Sequence, residues 1–210
     1  MNIGIIGSGP VGQTLGMGFV NQGHNVMIGT RDPAKLSDWL SRAGTNGGIG
    51  SFSEAAAFGN VIVVATAWSG TENAITLAHK DNFKNKVVVD VTNPLDFSQG
   101  TPRLATTYPT SACALIQTWL PVSKVVKAFN TVPAPIMVNP KQLGDATLFI
   151  AGHHDGKAFV RSIAEKWGWS DIIDMGDINA AYWVEMLAMF VIQYGFKSNN
   201  WTFALKFLRK

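Results

Sequence analysis

The chain has 210 residues, of which 47% are hydrophobic and 15% are charged, with a formal net charge of +3. This length suits one domain, or one domain with an appendage, and the apolar content is sufficient for a sizeable core. The Lys and Arg residues are scattered along the chain, which argues against a nucleic-acid-binding surface, and no such partner is expected.

Cysteine content and apolar patterning bear on the cellular compartment. Cys113 is the only cysteine, so no internal disulfide can form, and we expect a buried, unreactive thiol. Because the first predicted strand begins at residue 2, no signal peptide is expected. The apolar stretch 180–196 contains Glu185 and Gln193, and it is too short and too interrupted to cross a membrane. These features favour a cytoplasmic protein without a membrane partner.

The first predicted elements are a short apolar strand at 2–6 and a helix at 10–21, joined by a G-x-G-x-x-G motif. In a dinucleotide site, Gly7 permits the tight turn, Gly9 lets a pyrophosphate approach the backbone, and Gly12 lets the helix pack close to the sheet. The helix N-terminus then points its unpaired N–H groups at the phosphates. The alternative is a tight turn in an unrelated α/β protein. The other predicted ligand contacts in this turn are Ser8, Pro10 and Val11.

The end of the second predicted strand, at 24–29, indicates which dinucleotide is bound. An NAD-preferring site usually has a carboxylate there, whereas this chain has Thr30 and Arg31. A hydroxyl and a guanidinium suit the additional 2′-phosphate of NADP(H), and Lys35 adds a second positive charge nearby. The alternative is that Arg31 is an ordinary surface arginine.

The remaining chain alternates apolar strands with helical segments, which predicts βαβ units in a doubly wound, mostly parallel α/β sheet. The predicted strands are 61–65, 87–91, 124–129, 147–151 and 171–175, and the predicted helices are 33–42, 53–58, 71–79, 112–119 and 155–167. The glycine-rich stretch 44–50 is interpreted as a flexible connection. From residue 179 the pattern is helical and aromatic, so we expect a dinucleotide-binding domain at 1–178 and a C-terminal helical appendage at 179–210.

Ligands of open α/β sheets bind beyond the carboxyl ends of the strands. Three further loops that follow predicted strands are therefore expected to contact the ligand. Each loop has the alternative interpretation of a plain turn. The residues predicted to contact the ligand there are Thr66, Ala67, Trp68, Asn93, Asn130, Thr131 and Ala134.

Five segments carry a family resemblance: the glycine turn 7–12, and residues 29–31, 127–131, 150–152 and 203–208. Together they resemble the NADPH-dependent deazaflavin (coenzyme F-420) reductase family, whose relatives include the cytosolic domains of STEAP metalloreductases. The resemblance implies a Rossmann-like fold, NADPH on the strand ends, a homodimer, and hydride transfer between nicotinamide and a flavin or deazaflavin co-substrate. At Asn130 the chain is similar to the metalloreductase domains, which have asparagine, and differs from archaeal deazaflavin enzymes, which have histidine.

Such hydride transfer requires alignment of two rings and exclusion of water, so no acid–base residue is nominated as catalytic. His153, His154 and Asp155 form a cluster of side chains of the types that bind metal ions. Adjacent histidines do not generally present both rings to one metal, so we expect a surface turn in which Asp155 caps the next helix, and no metal site.

Aromatic residues of the appendage suit either a dimer interface, which we prefer, or a cover for a flavin-like ring. They are Trp183, Phe190, Tyr194, Phe196, Trp201, Phe203 and Phe207. Two other functions stay open: a reductase of small carbonyl or imine substrates, and a non-catalytic NADP(H)-binding protein.

Overall fold

The computed structural model describes residues 1–209 and contains an eight-stranded sheet and a two-stranded hairpin. The strands are β1 (Asn2–Ile6), β2 (Asn25–Gly29), β3 (Gly47–Gly50), β4 (Val61–Val64), β5 (Val87–Asp90), β6 (Leu95–Asp96), β7 (Arg103–Leu104), β8 (Lys124–Lys127), β9 (Thr147–Gly152) and β10 (Asp171–Asp174). The helices are α1 (Pro10–Asn21), α2 (Ser37–Ala43), α3 (Phe52–Phe58), α4 (Trp68–Leu77), α5 (Ala112–Trp119), α6 (Ala134–Met137), α7 (His154–Trp167) and α8 (Ala181–Ser198).

The large sheet has the strand order β10-β9-β8-β5-β4-β1-β2-β3. The six strands from β3 to β8 in this order are mutually parallel. β9 runs antiparallel to β8, and β10 runs parallel to β9. The prediction of a Rossmann-like, doubly wound and mostly parallel sheet is therefore confirmed.

Two apolar layers cover the faces of the sheet, because successive side chains of a strand point to opposite faces. In β4, Val61 and Val63 pack with α1, α2 and α7, whereas Ile62 and Val64 pack with α3, α4, α5 and α8. All four side chains are buried, which explains why these strands are continuous apolar runs in the sequence.

One prediction is wrong at the edge strand β3. Residues 44–50 were expected to be a flexible connection, but Gly47–Gly50 pairs in parallel with β2. A Cβ at Gly47 would lie 2.4 Å from the Cβ of Ala43, so α2 packs too closely for a side chain there. Glycine is depleted in strands, and tertiary packing has overridden that propensity.

Some helices and strands begin or end at residues other than those predicted, because of local hydrogen bonds and backbone geometry. Helix α3 begins at Phe52, one residue before the predicted start, because Ser51 and Glu54 form a capping box. β8 ends at Lys127 rather than at the predicted residue 129, and Phe129 has a left-handed φ of 60°, which turns the chain away from the sheet.

The C-terminal region packs on the outer strands. Val184 of α8 is buried in the layer that also covers β9. Beyond α8, the chain extends to β9, where the Thr147 N–H donates to the Leu205 carbonyl at 2.8 Å. Among residues 1–209, no helix is both long enough and apolar enough to cross a membrane.

Candidate functional site

Two adjoining clefts lie at the carboxyl end of the parallel strands, beside the neighbouring strands β1 and β4. The chain winds outward in opposite directions from these two strands, and a crevice is expected at such a switch point. The first cleft has a volume of about 590 Å³ and the second of about 250 Å³. Both are bordered by the loop after β4, which contributes Ala65, Thr66 and Ala67 to each, and by Ser69 in the first turn of α4.

The glycine turn after β1 forms one wall of the first cleft, and its three glycines have different surroundings. Gly7 has a φ of 121°, and a Cβ there would lie 2.5 Å from the Ala65 carbonyl oxygen. A Cβ on Gly12 would lie 2.2 Å from the Gly7 carbonyl oxygen. A Cβ on Gly9 would meet nothing within 4 Å. Gly7 and Gly12 are therefore required by the fold, whereas the space over Gly9 is open to a ligand.

Two helices begin at these clefts. Gly9 precedes α1 and Ala67 precedes α4, and neither residue supplies a side-chain cap. The first N–H groups of each helix lack intrahelical partners, and the positive ends of both helix dipoles lie here. Backbone amides and dipoles of this kind bind phosphate without any basic side chain.

The turn after β2 is built around the Thr30 hydroxyl. It hydrogen-bonds the Ser8 hydroxyl at 2.8 Å and accepts from the Asp32 N–H at 3.1 Å. Thr30 therefore holds two strand-end turns together rather than projecting freely into the cleft. Arg31 lines the cleft with an exposed side chain, and Lys35 pairs with Asp32 at 3.5 Å on the surface.

The second cleft has apolar and neutral polar walls. Trp68 lines it and also stacks on Trp119, with ring centroids 5.7 Å apart. Packing and a ligand-facing position are therefore compatible for this tryptophan. The complete lining is Val11, Ala65, Thr66, Ala67, Trp68, Ser69, Val91, Thr92, Asn93, Leu95 and Phe97. None of these side chains titrates near neutral pH.

Asn93 and Asn130 join the loops after β5 and β8. Asn93 donates from Nδ2 to the Asn130 carbonyl at 2.9 Å, and Asn130 donates from Nδ2 to Asn93 Oδ1 at 3.1 Å. Within residues 1–209, neither Asn130 Oδ1 nor the buried Thr131 hydroxyl has a hydrogen-bond partner. Buried polar atoms without partners are costly, so these two atoms are candidates to meet a polar ligand group.

Most predicted contact residues thus come together. Those that line either cleft are Gly7, Ser8, Gly9, Val11, Thr30, Arg31, Lys35, Thr66, Ala67, Trp68 and Asn93. Of the described residues, those predicted but outside both linings are Pro10, Gly12, Asn130, Thr131 and Ala134. Pro10 starts α1 and Ala134 starts α6, so both shape adjoining turns.

Sequence reasoning missed several lining residues. Ser69, Gly70 and Asn73 belong to α4, and an extension of the strand-end rule into the next helix would have found them. Phe52 follows β3, which was not predicted, and Phe97 lies in the hairpin loop, where the sequence carries no strand pattern.

A buried ionic cluster that the sequence did not predict lies behind the second cleft. Lys127 Nζ is 2.6 Å from Asp90 Oδ2 and 2.8 Å from Glu185 Oε1, and all three side chains are inaccessible to solvent. Burial opposes the charge of Lys127, but the two carboxylates outweigh it and raise the pKa of the lysine. Burial, followed by the nearby Asp90 carboxylate, raises the pKa of the Cys113 thiol, which is buried as predicted.

The histidine cluster differs from its prediction in one respect. The N-cap of α7 is His153, whose Nδ1 accepts from the Asp155 N–H, so Asp155 is not the cap. Asp155 lies inside the helix and pairs with Lys124 at 2.6 Å and with His154 at 2.8 Å. The three candidate ligand atoms lie within 4.8 Å of one another. The Lys124–Asp155 contact is a partly exposed ion pair, and pairs of this kind are common at protein surfaces.

Comparisons with known proteins agree with the geometry. A family described as NADP oxidoreductase, coenzyme F420-dependent, matches residues 2–94. The chain is 26% identical to the F420-dependent NADP reductase of Methanothermobacter thermautotrophicus, covering 94% of this chain and 90% of that protein. A crystal structure from Arthrobacter sp. FB24, assigned as an F420-dependent NADP reductase, has a TM-score of 0.94 at 35% identity, with both chains covered completely.

A further relative is the metalloreductase STEAP3 of Rattus norvegicus, which is 27% identical over 188 residues. The match covers 89% of this chain but only 36% of the metalloreductase. The chain therefore spans just over a third of the length of that relative.

Proposed function

Since the chain belongs to the coenzyme F420-dependent NADP oxidoreductase family, we propose that it transfers hydride between NADP(H) and a flavin or deazaflavin ring. One observation carries this proposal: the cleft beside the glycine turn adjoins a second cleft whose walls hold no titratable side chain. NADPH supplies a hydride from its nicotinamide ring when it is bound, and the protein supplies position and electrostatics.

In this proposal the first cleft holds the adenosine half of the dinucleotide. The open space over Gly9 receives the pyrophosphate, which the N-termini of α1 and α4 stabilise. Arg31 pairs with the 2′-phosphate, and Lys35 adds positive charge while it restrains Asp32. Thr30 keeps the turn in place through Ser8.

The nicotinamide end occupies the second cleft, against Thr66, Trp68 and Asn93. The Asn130 side chain fixes the loop of Asn93, which lines this cleft. The unpaired Asn130 Oδ1 and Thr131 hydroxyl are buried outside the lining, and we propose that a local rearrangement on binding brings them to the carboxamide. A ligand that satisfies both atoms removes the cost of leaving them buried without partners.

The neutral lining favours a ring acceptor over a carbonyl. Reduction of a ketone or aldehyde requires a proton for the new alkoxide, and a positioned acid usually supplies it. A flavin or deazaflavin ring delocalises the added electrons itself, so the site has only to align two rings at about 3–3.5 Å and exclude water. No residue of the described chain is assigned as a general acid.

We also propose that the protein is a cytoplasmic homodimer. Helix α8 buries one side against the sheet but leaves Trp183, Phe190 and Tyr194 between 49% and 64% exposed. Aromatic residues are enriched in interfaces between proteins, and a second copy of α8 is a matching apolar surface. The segment 179–210 would then serve as the subunit contact. The single cysteine is consistent with a reducing compartment.

A steady-state assay with alternative acceptors tests the proposal. NADPH oxidation is measured with coenzyme F420, FMN and FAD, and in parallel with a panel of small ketones, aldehydes, cyclic imines and hydroxy acids. We expect turnover with at least one ring acceptor and little with the panel. Rapid turnover of a carbonyl or imine, without reduction of any ring acceptor, would establish the alternative reductase function. NADPH binding without any turnover would indicate a non-catalytic protein.

A further inference from the structure

The buried ionic cluster of Asp90, Lys127 and Glu185 contains two carboxylates and one ammonium group. Lys127 Nζ contacts both carboxylates and donates to the Thr92 carbonyl at 2.9 Å. Glu185 accepts from the backbone N–H groups of Ala112 at 2.9 Å and Cys113 at 3.1 Å. These contacts tie β5, β8 and α8 to the N-terminus of α5.

The hydrogen-bond donors around the cluster establish its charge. Asp90 Oδ1 accepts from both the N–H and the hydroxyl of Thr92, at 2.9 Å and 2.8 Å. The Lys127 ammonium and the backbone N–H groups of Thr92, Ala112 and Cys113 can only donate, and together they contact both oxygens of each carboxylate. Both carboxylates are therefore ionised against one ammonium, and the cluster carries a net charge of −1. The N-terminal dipole of α5 offsets part of it at Glu185.

Thr92 connects this charge to the second cleft. Its side chain bonds Asp90, and the residue lines the cleft together with its neighbours Val91 and Asn93. Asp90 thus lies one side-chain contact behind the cleft wall. Because the cluster is inaccessible to solvent, water and salt screen its field far less than they screen a surface charge.

We propose that this buried negative charge favours the oxidised nicotinamide and so makes bound NADPH a stronger hydride donor. The inference rests on the proposed placement of the nicotinamide in the second cleft. That ring is neutral in NADPH and carries a formal positive charge in NADP⁺, since a hydride takes two electrons and one proton to the flavin or deazaflavin acceptor. A negative charge behind the cleft stabilises only the cationic form.

The test compares the dissociation constants of NADP⁺ and NADPH, measured by calorimetry on the full-length protein without an acceptor. Glu185→Gln removes one negative charge, and we expect the ratio Kd(NADP⁺)/Kd(NADPH) to rise roughly three- to ten-fold. Lys127→Met/Glu185→Gln returns the cluster to a net charge of −1, and its ratio should lie within about two-fold of wild type. Glu165→Gln makes the same change at an exposed position of α7 and should leave the ratio unaltered.

Thermal unfolding establishes that each variant is folded. Where Glu185→Gln fails to fold, Asp90→Asn removes the same charge and can still accept from Thr92 through its amide oxygen. A purely structural role for the cluster would weaken both nucleotides by the same factor, and that result, or an unchanged ratio in a folded variant, overturns the inference. Turnover with a ring acceptor alongside an unchanged ratio would reject this inference alone. Failure of the wild-type protein to bind either nucleotide would reject the proposed function as well.

Discussion

Asn93 and Asn130 exchange hydrogen bonds across the ends of β5 and β8, although 37 residues separate them in the chain. Asn130 Nδ2 also reaches the carbonyl of Val184 in α8, at 3.4 Å. The pair therefore links two strand-end loops and the C-terminal helix at the second cleft. In the proposed function, this pair positions the Asn93 loop against which the nicotinamide ring lies.

Asn130→Ala is expected to lower the hydride-transfer rate about ten- to a hundred-fold, because misplacement of a reacting ring by about 1 Å has effects of this size. NADPH affinity should change little, since the proposed phosphate contacts lie in the first cleft. Thr131→Ala should act in the same direction. Pre-steady-state rates and NADPH titrations measure the two effects separately. An unchanged rate in Asn130→Ala would show that the Asn93–Asn130 pair does not orient the ring.

Arg31→Ala is expected to weaken NADPH binding by roughly ten- to a hundred-fold, because a charge-assisted contact contributes about 1.5–3 kcal/mol. NADH lacks the 2′-phosphate, so its affinity should barely change. Arg42→Ala, at an exposed position of α2, is the matched control and should leave both affinities intact. Equal losses for NADPH and NADH in Arg31→Ala would assign Arg31 a different role.

Gly9→Val is expected to abolish dinucleotide binding in a folded protein, because the new side chain occupies open space over the turn. Gly12→Ala provides the contrast. Its Cβ would approach the Gly7 carbonyl oxygen to 2.2 Å, so it should lower the free energy of unfolding by about 1–3 kcal/mol. Nucleotide titration and chemical denaturation separate the two effects. Normal NADPH titration by Gly9→Val would mean that this glycine has no role in ligand binding.

The sequence predicted the strands of the sheet well where a strand is a short, continuous apolar run. The strand at Val61–Val64 is a short buried run of β-branched residues, and its length and composition favour a strand over a helix. The glycine strand Gly47–Gly50 was missed because glycine is depleted in strands, and because its pairing partner is β2, where Val26 lies 21 residues before Gly47. A pattern read along one segment does not contain such tertiary contacts.

In the candidate site, too, the residues marked by a local sequence pattern were predicted, and those assembled by tertiary contacts were missed. Gly9, Arg31 and Asn93 were predicted because a motif or a strand end marks their positions. The Asp90–Lys127–Glu185 cluster was not predicted. In the sequence, Asp90 and Lys127 lie in predicted apolar strands, and Glu185 lies 58 residues beyond Lys127. Only the topology brings these three charges together.

Phe190→Glu tests the proposed dimer. The Phe190 side chain is 64% exposed on α8, so the substitution should leave the fold intact and should disrupt a contact between two copies of this helix. Sedimentation velocity at micromolar concentration should show a wild-type dimer and a Phe190→Glu monomer. Leu77→Glu, at an exposed apolar position of α4, should remain dimeric. A monomeric wild-type protein would contradict the dimer proposal.

The central claim is that the two adjoining clefts align NADPH with a ring that accepts its hydride directly. Single-turnover mixing of the protein with coenzyme F420 and NADPH stereospecifically deuterated at nicotinamide C4 tests it most directly, because the deazaflavin ring accepts hydride at a carbon atom. Mass spectrometry should find one deuterium in the reduced deazaflavin for one of the two C4 epimers, with a primary isotope effect on the fast phase. Reduced deazaflavin without deuterium, or no reduction while a small carbonyl or imine acquires the label, would contradict the claim.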